Sequence, residues 1–459
     1  MSHETRKYAL AGIVILAVAL RIIFLVQFSH TPFYGHPILD SRIYMEAGEN
    51  IAAGNLVGDS AFFMGPLYSY VLGFLYFLSG GVSPLLPRLV QMLFGLVTCF
   101  LIYQCSREIF NEASGIAAAL IYAAYRPVLF YEQTLLMETS LGMICVLILF
   151  LTLLADKKGT RTIGFLCGLA IGIAALFRGN ALVFLPVVIG WLILRKSDDR
   201  WIRIDQKKAM QIVFIILGTI AAILPATVHN YAAERQFIPI SSNAGVNLYI
   251  GNNPQSSPFY EVPPDINMSG DMMGKAAATR AAGKELGSSE ISGYWKNRAL
   301  TWIRSDPFHF LKLFASRIYH FWGWGEPEQV YSMKEMSGLI PGLKWPLFHY
   351  GVLSPLALTG VILGLIRARR RKILPSLFIF SWMFSLAPFF ITARYRIPII
   401  PVMSIPAGFV CITVYQQIRG KKFKRAGIIF GTIVIFFFLL NNTRYLDNRQ
   451  SGEAFHNSL

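Results

Sequence analysis

Residues 6–55 read RKYALAGIVILAVALRIIFLVQFSHTPFYGHPILDSRIYMEAGENIAAGN. Two bases, Arg6 and Lys7, precede an apolar run that continues to Phe28 with a single charge inside it, Arg21. That run has the length of about 20 residues that a helix needs to cross a bilayer. Its leading bases resemble those of a secretion signal, but no small-residue cleavage site follows, so it reads as an uncleaved first span over 8–28. The chain then turns polar, and Asp40, Tyr44, Ala47 and Ile51 repeat at helical spacing with Arg42 and Glu46 beside them. A membrane helix followed at once by an amphipathic helix with an acid in its first turn is the unit from which the rest of the sequence is read.

The same block pattern recurs along the 459 residues, of which 54% are hydrophobic and 15% charged. Soluble domains average about 25% charged residues, so a soluble enzyme, a disordered chain and a disulfide scaffold are excluded. Cys99, Cys105, Cys145, Cys167 and Cys411 lie in or at the ends of apolar blocks without a CxxC pair, which implies no disulfide framework or metal cluster. The net charge of +17 would suit a nucleic-acid binder. Its distribution argues otherwise. Arg6–Lys7, Arg107 and the stretches 157–161, 195–208, 367–372 and 419–425 hold 22 of the 42 basic residues. These are short loops between apolar blocks, so the basicity is a topology signal marking the cytoplasmic side, and no nucleic-acid partner is expected.

With those loops inside, the spans are 8–28, 88–106, 113–131, 134–155, 162–178, 180–195, 209–228, 345–366, 373–392, 397–416 and 426–442. The expected fold is an all-α polytopic membrane protein with about eleven transmembrane helices, its N-terminus cytoplasmic. The apolar segment 64–80 would invert every later basic loop if it crossed, so it is read as flat or re-entrant on the outer side. Three parts follow: 1–228, seven spans with the outer loop 29–86; 229–344, an outer capping subdomain; and 345–459, four C-terminal spans and a tail. The run 307–325, PFHFLKLFASRIYHFWGWG, has the aromatic and basic content of an interfacial helix.

Ionisable groups in or at the mouth of spans are costly and tend to face a cavity. Asp40 either caps the helix 41–53 or acts chemically. Arg21, inside the first span, either snorkels or contacts a phosphate. Arg88 opens the second span, Arg178 sits in FRGN (177–180), and Arg394 and Arg396 sit in TARYRIPIIP (392–401). Each alone reads as a headgroup anchor. Several arginines converging on the outer face against an acidic first loop read as an anion site, since the guanidinium fork suits phosphate. Arg42 and Tyr44, Glu132 and Glu138 in FYEQTLLMETS (130–140), His229 and Asn230, and Tyr249 and Asn252 in SSNAGVNLYIGNNP (241–254) complete the candidate pocket. Taken singly, each of these fits a structural hydrogen bond or turn as well as it fits a pocket wall.

The pattern resembles the C-type membrane glycosyltransferases, nearest the branch of protein O-mannosyltransferases and lipid A aminoarabinose transferases. The matching stretches, in order, are LDSRIYMEAGENIAAGN, GPLYSYVLGFLYFLSG, RLVQMLFG (88–95), YEQTLLMETSLG (131–142), GLAIGIAALFRGNALVFLP (168–186), HNY (229–231), SNAGVNLYIGNNP (242–254) and RYRIPIIP (394–401). The resemblance implies a seven-span module, here 8–228. It implies inverting transfer of a sugar from a polyprenyl-phosphate donor outside the cytoplasmic membrane, with Asp40 at the position of the first-loop acid. Where aminoarabinose transferases carry an acidic-basic-proline-proline stretch, this chain has Met64, Gly65 and Pro66. A metal site built on that acid is therefore not expected, although a divalent cation is compatible with the reaction. No cofactor is demanded, and phosphate binding falls to Arg178, Arg394, Arg396, Arg88 and Arg21. The expected partners are a polyprenyl-phosphate sugar donor, a lipid, glycan or protein acceptor, and membrane lipids. The competing readings are a flippase or transporter of polyprenyl-linked sugars, which requires a polar path through the whole bilayer, and an O-antigen polymerase or ligase.

Overall fold

The computed structural model describes residues 3–193, 206–267, 270–366 and 370–441. Among them the chain is all-helical. In order the helices are α1 (His3–Ser29), α2 (Leu39–Ala52), α3 (Leu67–Ser79), α4 (Leu86–Ile109), α5 (Glu112–Ala123), α6 (Arg126–Tyr131), α7 (Glu138–Lys158), α8 (Arg161–Phe177), α9 (Phe184–Ile193) and α10 (Gln206–Glu234). They continue as α11 (Ala244–Gly251), α12 (Lys275–Ala282), α13 (Ser288–Ser305), α14 (Pro307–Trp322), α15 (Met333–Leu339), α16 (Tyr350–Ile366), α17 (Arg370–Leu386), α18 (Ala393–Arg396), α19 (Ile400–Arg419) and α20 (Phe423–Asn441).

Among the described residues six helical stretches are long and apolar enough to cross a membrane: Glu4–Ser29, Leu86–Ile109, Glu138–Lys158, Gln206–Glu234, Ala393–Arg419 and Phe423–Asn441. Several of the expected spans are altered. The span expected over 113–131 is broken into α5 and α6. The break falls at Ala124–Tyr125, where Phe348 N–H donates to Ala124 and Arg126 N–H donates to Phe348, at 3.1 and 3.0 Å. Pro127 then opens α6, where its fixed φ suits a first turn. The expected span 134–155 begins at Glu138, leaving 132–137 as a loop. The expected 180–195 is a 3-10 turn over Gly179–Val183 followed by the short α9, with its end beyond the described residues. Helix α17 stops at Leu386 rather than 392. Segment 64–80 forms α3, whose 13 residues reach about 20 Å, less than the roughly 30 Å hydrocarbon core.

Close backbone approach builds the bundle. Gly164 and Gly168 of α8 face Gln211 and Ile215 of α10, Gly172 faces Thr219 and Ala222, and a Cβ on Gly168 would lie 1.9 Å from the Ile215 carbonyl. Small residues permit such contact where lipid offers no hydrophobic drive between helices. In the loop after α1, α2 and α3 form a hairpin through Gly48 and Gly73.

The two ends of the bundle differ in chemistry. At one end Arg6 pairs with Glu112, Arg371 and Lys157 with Glu108, and Arg370 with Asp156. These ion pairs join the N-termini of α1, α5 and α17 to the C-termini of α4 and α7, so several of the basic stretches lie together. The basic loop 195–205 and residues 367–369 lie outside the described residues. At the other end the two long loops meet. Phe62 N–H donates to Asn230 Oδ1, Ala61 N–H to Glu234 and Ser242 N–H to the Phe62 carbonyl, each at 2.9 Å.

Candidate active site

Four helix termini carry charges to this second end. Asp40 lies in the first turn of α2, whose N-cap is Ile38 and carries no side-chain cap bond. Asp40 therefore does not cap the helix. The preceding Leu39 has φ 48°, left-handed backbone that costs a leucine about 1–2 kcal/mol. Strain of this kind is concentrated at functional sites. Glu138 is the first residue of α7, and Arg178 caps the C-terminus of α8. Both charges complement the helix macrodipole. Arg394 sits on the one-turn α18, opened by the Thr392 cap.

Arg394 is the hub. Its Nη2 donates to Asp40 Oδ2 at 2.6 Å, and its Nε lies 3.1 Å from Glu138 Oε1. Arg394 and Glu138 side chains are 4% and 1% exposed and Asp40 is 24% exposed, so solvent reaches the site from the Asp40 side. Arg178 Nη2 lies 3.9 Å from the same Glu138 oxygen. Its guanidinium lies 3.5 Å from the Tyr395 ring centroid, a cation–π stack. No side-chain hydrogen bond is found for Arg178 among the described residues. The Tyr44 hydroxyl donates to Met137 Sδ at 3.7 Å, one residue before Glu138. Burial first, and then Asp40 and Glu138, raise its pKa against the pull of Arg394 and Arg178, so it remains a protonated donor.

The second loop supplies a cover. Pro258 and Phe259 run beside Ile391, and Tyr260 meets Phe390 edge-on at 5.0 Å. Burial, then Tyr395 and Asp40, raise the Tyr260 pKa. Gln329 Nε2 reaches Tyr395 Oη at 3.5 Å. Tyr395, Tyr260 and Gln329 were not singled out from sequence. For Tyr395 a signal existed in the Arg394–Tyr395–Arg396 alternation. For the other two, in loops remote in sequence, none did.

The remaining sequence candidates are committed elsewhere. Arg21 pairs with Glu132 at 2.7 Å, both side chains fully buried, with Gly95 leaving the room for them. Arg88 donates to the carbonyls of Gln133, Pro84 and Tyr34 and stacks on Tyr34 and Phe28. Arg396 donates to the Gly323 and Gly325 carbonyls at 2.8 and 2.6 Å and covers the Tyr350 ring. Arg42 points outward to Glu46. His229 accepts from Gly58 N–H and stacks on Phe62. Asn230 ties 62 to 238 and 240, Tyr249 bonds Asp265, and Asn252 donates to the Leu248 and Pro388 carbonyls. The geometry thus joins Asp40, Tyr44, Glu138, Arg178 and Arg394, leaves Arg42 on the surface and makes the others fasteners.

Among the described residues no three His, Cys, Asp or Glu groups come together as a metal site. The two carboxylates that do approach each other share a guanidinium, which repels a divalent cation, so the donor set does not fit a resident metal and no step is derived through one.

The fold is similar to that of solved oligosaccharyltransferases. Residues 64–227 match the family described as dolichyl-phosphate-mannose-protein mannosyltransferase. The oligosaccharyltransferase of Archaeoglobus fulgidus in its apo form is similar, with a TM-score of 0.54 at 12% identity, over 95% of this chain and 56% of that one. So is the archaeal oligosaccharyltransferase AglB from that organism in complex with an inhibitory peptide and a dolichol-phosphate, with 0.51 at 14% identity over 95% and 55%. ArnT from Cupriavidus metallidurans bound to undecaprenyl phosphate aligns with a TM-score of 0.40 at 16% identity over 88% and 79%. The chain spans little more than half the length of the oligosaccharyltransferase. No curated protein matches it in sequence. The resemblance read from the sequence stands for the fold, and residues 64–227 carry it in sequence.

Proposed function

We propose that the protein is an inverting glycosyltransferase that moves a sugar from a polyprenyl-phosphate donor to a hydroxyl of a lipid, glycan or protein acceptor. In this reading it lies in the cytoplasmic membrane, N-terminus inside, with the Asp40 end outside. The observation that carries the reading is the Asp40–Arg394–Glu138–Arg178 cluster at the mouth of an apolar bundle. Asp40 has one oxygen on Arg394 and the other for an acceptor. That oxygen takes the hydroxyl proton as general base. The acceptor oxygen attacks the anomeric carbon from the face opposite the phosphate, and the bond from that carbon to the phosphate oxygen breaks. The polyprenyl phosphate leaves with one more negative charge, which Arg178 can meet: among the described residues it makes no side-chain hydrogen bond and lies 3.9 Å from its nearest carboxylate oxygen. Arg394 bridges Asp40 and Glu138, its Nη2 on one and its Nε beside the other. The three-part division 1–228, 229–344 and 345–459 is retained with one modification: the site draws Arg394 from the third part, so 1–228 is not a complete active site.

The test is transfer from a defined polyprenyl-phosphate hexose or pentose in proteoliposomes. Asp40→Asn keeps the shape and lowers transfer by about 10²–10⁴-fold, with melting and donor binding near wild type. Wild-type turnover by Asp40→Asn overturns the base assignment. Movement of intact donor across the bilayer without consumption replaces the transferase with a transporter.

A further inference from the structure

The first outer loop meets the end of α8 at Gly65, which is buried. A Cβ there would lie 2.1 Å from the Phe177 carbonyl oxygen and 2.7 Å from the Leu176 carbonyl oxygen. No side chain stands that close to backbone, so only glycine lets the loop rest on this helix end. Carbonyls at a helix C-terminus lack intrahelical partners, and the Gly65 backbone covers two of them. The peptide unit it presses on joins Phe177 to Arg178. Arg178 leaves the helix there with extended backbone, φ −153° and ψ 116°, and its guanidinium stacks on Tyr395.

The loop is held on both sides of this contact. Upstream, Ala61 N–H donates to Glu234 and Phe62 N–H to Asn230, and the Phe62 and Phe63 carbonyls accept from Ser242 and Asn243 N–H. Downstream, Pro66 is the N-cap of α3. The Tyr68 ring of α3 meets Phe177 of α8 at 6.5 Å and Tyr44 of α2 at 5.1 Å. The loop therefore ties the end of α8, with Arg178, to the helix that carries Asp40.

We propose that Gly65 is a positioning residue for Arg178: its bare backbone seats the Phe177–Arg178 peptide and so sets where the guanidinium stands relative to Asp40. The role of Arg178 at the phosphate rests on the transfer reading; its placement does not. A methyl group at 65 must displace either the loop or the Phe177 carbonyl. The loop is fastened by the four hydrogen bonds upstream, so the carbonyl yields and Arg178 moves with it.

Two measurements test this. In proteoliposomes, kcat and donor KM are determined for Gly65→Ala, Arg178→Ala and the double variant. A misplacement of about 1 Å costs roughly 10²-fold, so Gly65→Ala should lower kcat/KM by about that factor. The double variant should lose no more than Arg178→Ala alone. Losses that multiply, or wild-type kinetics in Gly65→Ala, overturn the proposal. Gly58→Ala, in the same loop with nothing within 4 Å of a Cβ, is the control, and an equal loss there also overturns it. Hydrogen exchange of the full chain in detergent reads placement without transfer. Arg178 N–H donates to the Ala174 carbonyl and Ala181 N–H to the Arg178 carbonyl, both at 2.9 Å. These two amides should exchange about tenfold faster in Gly65→Ala and as in wild type in Gly58→Ala. Unchanged exchange overturns the proposal. Faster exchange in a protein that transfers no sugar upholds it, and the transfer reading falls alone. Should Gly65→Ala not fold, Asn230→Ala, which frees the Phe62 N–H, takes its place in the cycle. A loss that disappears in the Arg178→Ala background upholds the positioning role, and one that multiplies overturns it.

Discussion

Arg394 decides the chemistry of the site. Two carboxylates brought together without a cation repel. The guanidinium between Asp40 and Glu138 offsets that repulsion. Arg394→Gln leaves a buried acid unpaired, and breaking such a pair costs about 3–5 kcal/mol. We expect that variant to melt well below wild type and to lose transfer. Arg178 is different. Its nearest carboxylate oxygen is 3.9 Å away and its main contact is the Tyr395 ring, so Arg178→Ala should cost about 1–2 kcal/mol, less than Arg394→Gln. It should raise the donor KM as well as lower kcat, because the phosphate is present in ground and transition states. Thermal melting and donor titration of the two variants separate the roles. Identical behaviour of the pair would remove the distinction. In sequence, Asp40 and these arginines stood out as charges at span mouths, but Arg394 and Asp40 lie 354 positions apart. Arg21 and Glu132 stood out for the same reason, yet they neutralise each other inside the bundle.

Apolar blocks predict helices well, and the structure departs from them where backbone hydrogen bonding or proline intervenes, as at Ala124–Tyr125 and Pro127. The α8–α10 contact is a feature of element packing. Gly168→Val drives a side chain into the Ile215 carbonyl, and overpacking of this kind costs about 1–3 kcal/mol. A fall in melting temperature and folded yield is expected. Gly190, with nothing within 4 Å of a Cβ, is the control: Gly190→Ala should be neutral or slightly stabilising. The sidedness of α3 has its own test. Its short length makes Ser60 and Ser83 neighbours of one membrane face, so cysteines at both should react with an impermeant reagent from the outside. Reaction from opposite sides would require α3 to cross and would change the span count.

Across the whole molecule, the end of α10 fastens the two long loops together. His229, Asn230 and Glu234 hold Gly58, Phe62 and Ala61, and Glu234 also accepts from Ser288 N and Oγ at 2.9 and 2.6 Å. Burial pushes the Glu234 carboxyl up, but the hydrogen bonds from Ser288 and Ala61 outweigh it and hold it below the usual glutamate value. A lowered pKa stabilises the fold above the unfolded value and is lost as pH falls through the folded one. Glu234→Gln should therefore melt below wild type at pH 7, by the roughly 1–3 kcal/mol of a charged hydrogen bond. The gap should narrow as pH drops from about 6 to about 4. A gap independent of pH would mean that Glu234 does not clamp through its charge.

The sequence by itself determined the membrane class, the helical content, the gathering of several basic stretches and the two long loops. Each of these rests on composition or on periodicity within some twenty residues, which bilayer thickness and the cost of unpaired backbone groups make nearly obligatory. Tertiary structure alone decided which arginines are free. Arg21, Arg88 and Arg396 each have both Nη groups bonded to a carboxylate or to carbonyls, whereas among the described residues Arg178 rests on Tyr395 without a side-chain hydrogen bond. An arginine carries the same charge and fork in all four places. Only the packing of other helices against it settles whether its donors are used up by the protein or left for a ligand.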